Sequence, residues 1–153
     1  MAVLSRSRHD LMQRLADLRQ ALREYGIRDA SDYAEALIAE AVEGERQRSR
    51  ITKGFDVLAP RFGRIEVKCR QLPLDGRLEE RVAITSAKED GFEHLAILIF
   101  QADFSIKGAV IVPYPAVWEF VRDQQYNRIS YSQACRLPGA AELTTAVQAA
   151  QNK

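Results

Sequence analysis

Cysteine is scarce in this chain. Cys69 and Cys135 are the two it has, and they show no paired spacing, so neither a zinc site nor a disulfide framework is expected. Histidine is as rare: His9 and His94 each lack a partner at metal-ligand spacing. No glycine-rich phosphate loop, dinucleotide fingerprint or recognisable Ser or Cys nucleophile motif occurs. Long apolar runs are missing too. The longest, Leu95 to Phe100, is far short of the ~20 residues that span a bilayer, and the first ten residues lack the apolar run of a signal peptide. The expectation is a soluble protein in a reducing, cytoplasmic setting, with no membrane partner. No internal repeat, low-complexity segment or linker divides the 153 residues, so a single domain, 1–153, is the simplest organisation. Apolar residues at 46% supply its core.

A net charge of +1 does not announce a nucleic-acid binder, but the distribution of charge says more. Arg46, Arg48, Arg50, Lys53, Arg61, Arg64, Lys68 and Arg70 crowd one stretch, whose late part holds two acids, Asp56 and Glu66. A band of this kind attracts a phosphate backbone. Without those carboxylates, a solvated Arg-rich surface is the better reading.

Leu11, Leu15, Leu18 and Leu22 recur at helical spacing and predict a helix over residues 5–25. Its stripe suits either pairing between two copies or packing on its own domain. A second helix is expected over residues 32–43, capped by Ser31 and stopped by Gly44, with Ala34, Leu37, Ile38, Ala41 and Val42 buried. Residues 45–53 read as a charged loop. Strands are expected at 54–59, 64–72, 94–101 and 105–112, with weaker signals at 81–85 and 128–133. The apolar Leu95–Phe100 run fits a central strand covered on both faces. Pro113 and Pro115 are expected to close the strand before them. Short helices follow at 116–123 and 140–150. The sum is a mixed sheet flanked by helices.

The chemistry concentrates in GFDVLAPRFGRIEVKCR, Gly54 to Arg70. Alternation turns Ile65, Val67 and Cys69 one way and Glu66, Lys68 and Arg70 the other. A three-residue hairpin loop, Arg61-Phe62-Gly63, with Gly63 left-handed, sets Asp56 opposite Lys68 and Leu58 opposite Glu66. Asp56 and Glu66 are then hard oxygen ligands suited to magnesium or manganese, and the Val67 carbonyl is a third. Lys68 is placed to orient an attacking water or to stabilise negative charge in the transition state. Glu35, from the second helix, is placed to act through a water. Together these groups point to metal-assisted phosphodiester cleavage. The plainer alternative is a salt-bridge ladder on a wet strand face.

The pattern resembles the PD-(D/E)XK nuclease superfamily, the restriction-endonuclease-like fold. Asp56 fills the first acid position, Glu66-Val67-Lys68 the triplet, and Glu35 matches the helical acid of many members. FEHLAILIF and FSIKGAVIVP stand where the later strands fall. The resemblance covers residues 31–121. It leaves out the extra N-terminal helix, 1–25, and a C-terminal extension, 125–153. Phe55, rather than Pro, precedes Asp56. The resemblance implies hydrolysis of nucleic acid, DNA more than RNA. Duplex DNA is commonly handled by paired copies of such a fold, and the N-terminal helix, outside the resemblance, offers a way to pair. The superfamily also has silent relatives, so a binding module for nucleic acid or protein is the alternative. Lys53, Arg61, Arg70 and Lys107 are the expected backbone contacts. Tyr126, Tyr131 and Trp118 are aromatic groups able to stack on bases, although Trp118 on a helix face suits a core role as well.

Overall fold

The structure, a computed structural model, describes residues 7–47, 54–75, 81–84 and 91–153. Its helices are α1 (Arg8–Glu24), α2 (Ala30–Ala41), α3 (Tyr114–Val121), α4 (Tyr131–Cys135) and α5 (Thr144–Gln151). Its strands are β1 (Glu45–Arg46), β2 (Val57–Ala59), β3 (Gly63–Gln71), β4 (Arg81–Ala83), β5 (His94–Phe100), β6 (Ile106–Pro113), β7 (Arg128–Ser130) and β8 (Ala141–Glu142). Six strands form a mixed sheet in the order β1-β2-β3-β5-β6-β8, and β4 and β7 form a separate antiparallel pair. Only the β3–β5 pairing in the large sheet is parallel.

The apolar run predicted as a central strand is β5. Leu95 to Phe100 are fully buried, because helices cover both faces of the strand. On one face α2 and α5 bring Leu37, Ile38 and Val147 against Ile65, Ala96, Leu98 and Ile111. On the other, Val117 and Val121 of α3, Ala134 of α4, Val82 and Ile129 meet Leu95, Ile97, Ile99 and Val112. The residues left outside the resemblance at the C-terminus are therefore integral. β8 pairs with β6, and Val147 of α5 is buried in the same cluster as Ile38.

Several expected elements shift. The cap of α2 is Asp29, whose side chain accepts from the Asp32 N–H, not Ser31. Part of the expected loop after α2 becomes β1, paired with β2. The strand expected through residue 133 ends at Ser130, whose hydroxyl caps α4 in a reciprocal capping box with Gln133. The expected helix at 140–150 splits into β8 and α5. Pro115 lies in the first turn of α3, where the missing N–H costs nothing, rather than closing β6.

The hairpin register also differs from expectation. Ala59 pairs with Gly63 and Leu58 with Arg64, so the loop is Pro60-Arg61-Phe62, and Asp56 does not stand opposite Lys68. Gly63 is left-handed as expected (φ 71°), and a Cβ there would sit 1.6 Å from a Glu93 carboxylate oxygen. A loop placed one residue earlier moves the pairing by two, an even step that preserves side-chain parity. Among the described residues no helix is long and apolar enough to cross a membrane.

Candidate active site

The ladder between β2 and β3 stops at Val57 and Ile65. The chain bends at Asp56, whose N–H donates to the Ile65 carbonyl (2.8 Å) while its Oδ2 accepts from the Val67 N–H (2.8 Å). Asp56 thus reaches both neighbours of Glu66. In an extended strand the N–H and C=O of one residue point to the same edge. The Val67 carbonyl therefore faces the same edge as Asp56. Beyond Ile65 no described strand pairs with β3 on this side. A groove of about 1380 Å³ opens there. Its walls include Glu35 from α2, Arg46 from β1, Asp56, the Glu66–Cys69 segment of β3 and Tyr25 at the end of α1.

Three acids converge on this groove. Glu35, Asp56 and Glu66 all have carboxyl pKa values raised above the ordinary range, and burial is the largest cause for each. Repulsion from Glu66 adds to the rise at Asp56, and repulsion from Asp56 adds to the rise at Glu35. Burial and this repulsion both favour the protonated form, so Asp56 and Glu35 each hold a proton more tightly than they would alone in water. Cations offset part of the cost. Lys68 Nζ lies 3.4 Å from Glu66 Oε1, and Arg46 Nε is 2.9 Å from Glu35 Oε2.

Arg46 does more than its place in the basic band suggested. Its guanidinium also bonds Asp32, which is fully buried, and the Gly26 carbonyl (2.9 Å). Arg28 reaches the same Asp32 carboxylate (3.0 Å). Arg46 thereby joins β1, α2 and the turn after α1 and holds Glu35 at the groove. Its place among several arginines in sequence carried no sign of this role.

Among the described residues no group of three or more His, Cys, Asp or Glu is arranged to hold a metal ion. The donors that do meet are hard oxygens: two partly buried, mutually repelling carboxylates beside a strand-edge carbonyl. That chemistry suits a magnesium- or manganese-sized dication that keeps several waters, and such an ion would relieve the repulsion.

The structure brings Glu35, Asp56, Glu66, Val67 and Lys68 to one groove. The expected backbone contacts do not gather there. Arg61 sits on the hairpin loop over the Phe62 ring (4.9 Å). Arg70 donates to the Arg81 carbonyl (3.1 and 3.3 Å). Lys107 is on β6, with β5 between it and β3. Lys53 lies outside the described residues, as do Arg48 and Arg50. His94 opens β5, its Nδ1 2.6 Å from the Phe62 carbonyl. Trp118 is half-buried and stacks on Tyr114. Tyr131 bonds Glu142, and its hydroxyl pKa is raised, mainly by burial. Compared with known proteins, the chain matches no family model and no curated sequence.

Proposed function

We propose that this chain is a metal-dependent nuclease of the restriction-endonuclease-like, PD-(D/E)XK type, hydrolysing phosphodiester bonds in DNA in preference to RNA with magnesium or manganese. One observation carries the reading. The Val67 N–H holds the Asp56 carboxylate at 2.8 Å, so an acid from the bend before β2 and the Glu66–Lys68 pair of β3 share one groove of about 1380 Å³.

The residues divide the work. Asp56, Glu66 and the Val67 carbonyl would hold the ion, with Glu35 acting through a water. A bound dication supplies charge screening at the phosphate and a lowered pKa for its water. Lys68, kept near Glu66, donates to the attacking water or to a non-bridging phosphate oxygen where negative charge grows. The water oxygen bonds to phosphorus as the bond to the leaving sugar oxygen breaks. That oxygen takes up a proton, leaving a phosphomonoester and a hydroxyl.

The test is incubation with supercoiled, linear, single-stranded and branched DNA, and with RNA, under magnesium or manganese and with a chelator. Cleavage should need the metal, and Lys68→Ala should lose on the order of 10²–10³ of the rate, the scale for removing one transition-state donor. Calorimetric metal binding by the wild type and Asp56→Asn gives a second readout, with the variant binding more weakly.

A silent binding module of the same fold is the second reading. The tie between Glu35 and Arg46 (2.9 Å) favours it, because that acid already has a cation of the chain as its partner. Retarded DNA without products on any substrate would select it.

A further inference from the structure

The described length of α1 buries nothing: none of its 17 residues is buried. Leu11, Met12, Leu15, Leu18, Leu22 and the following Tyr25 are 37–79% exposed. Most of the stability of a helix in a protein comes from packing of its apolar face, and a leucine stripe facing solvent gives α1 none. We propose that α1 pairs with α1 of a second copy of this chain, in the antiparallel direction.

Leucine spacing sets the seam, and charge sets the direction. In a parallel pair, Arg14 of one copy flanks the seam against Arg19 of the other, twice, with no acid at the flanking positions to separate them. Like charges so placed repel. In the antiparallel pair, Leu15 faces the partner's Leu18 and Leu11 faces the partner's Leu22. Arg14 then lies beside the partner's Ala21, and Arg19 lies along the partner's Met12, where its aliphatic stem covers apolar surface. Continued outward, the same register sets Arg8, which interrupts the leucine stripe, opposite the partner's Tyr25. A guanidinium over a tyrosine face closes each end of the seam favourably. The one polar seam position is thus matched with the one aromatic position. The antiparallel direction also sets the two folded bodies at opposite ends of a rod about 25 Å long, where a parallel pair would crowd them at one end.

The pairing reaches the candidate site. Tyr25 lines the groove that holds Asp56, Glu66 and Lys68, so the partner's Arg8 arrives at the rim of that groove and adds a cation from the second copy. This inference stands without the nuclease reading, since assembly is measured independently of cleavage.

Light scattering on the full chain should give a dimer at micromolar concentration. Leu15→Glu with Leu18→Glu should give a monomer whose body unfolds at the wild-type temperature, since neither side chain is buried. Direction is read by cross-linking Arg8→Cys and Tyr25→Cys proteins, with the unaltered chain as the control for Cys69 and Cys135. A covalent dimer should appear only when the two variants are mixed. A monomeric wild type, a dimer that survives the paired glutamates, or 8–8 and 25–25 cross-links in unmixed samples would each overturn the proposal.

Discussion

Helices α1 and α2 begin alike and end differently. Each opens on a capped first turn, Ser7 with Asp10 in one and Asp29 with Asp32 in the other. Each carries apolar residues three and four apart. In α2 that stripe is spent on the sheet: Ala34, Leu37 and Ile38 are buried against Val57, Ile65 and Ala96. In α1 it faces solvent along the whole described length. A stripe therefore marks a face that needs cover without saying what covers it. The charged edge of α2 teaches the complementary lesson. Glu35 sits at the margin of the buried face, so the packing that docks α2 also drives this acid toward Asp56, and Arg46 offsets part of the cost.

The sharpest contrast between the helices is in stability. Ile38→Ala should destabilise the body by about 2–5 kcal/mol, the cost of a buried cavity. Leu18→Ala should leave body unfolding unchanged and weaken only the association between copies. Urea denaturation followed by Trp118 fluorescence checks both. Equal losses from the two changes would mean that α1 packs on the body.

The next effect is pH-dependent and belongs to the α2 side alone. Burial raises the Asp56 carboxyl above its ordinary 3.8 and those of Glu35 and Glu66 above 4.5. A raised carboxyl pKa means the folded state holds its proton more tightly. The stabilisation is complete below the ordinary values and is lost as pH rises through the raised ones. Asp56→Asn should therefore melt higher than wild type at pH 7, with the gap closing toward pH 4. Magnesium at pH 7 should recover stability in the wild type more than in the variant. A gap independent of pH would show that the Asp56 carboxyl is not raised.

The smallest effect is at the start of α1. Ser7→Ala removes the capping box, worth about 0.5–2 kcal/mol of helix stability. It should lower helix content and weaken pairing while leaving the unfolding of the body where it was.

Elements whose signal is local were legible. The run Leu95–Phe100 read as a doubly covered strand because both faces demand apolar side chains. Ile65, Val67 and Cys69 against Glu66 and Lys68 read as alternation because the strand period is two. Gly63 marked the left-handed position because glycine, without a Cβ, takes a positive φ at little cost. What resisted reading depended on partners distant in sequence. The hairpin register slipped by two because Ala59 pairing with Gly63, and Glu93 bonding the Arg64 N–H (2.9 Å), are choices of the assembled sheet. The C-terminal segment looked like an appendage because its short strand has meaning only beside β6. Arg46 looked like one cation among many until α2 and β1 brought Asp32 and Glu35 to it.

By itself the sequence determined which residues are apolar, acidic or basic, and with what period they recur. That established the central strand, the two-faced β3 and the leucine stripe of α1, because side-chain direction follows from backbone geometry over a few residues. Only the tertiary structure decided that β2 begins at Val57 after a bend at Asp56, that Asp56 takes the Val67 N–H, and that Glu35 comes in from α2 to the same groove. Those outcomes rest on contacts between segments far apart in the chain, whose burial and charge compensation exist only once the sheet and helices have closed around them.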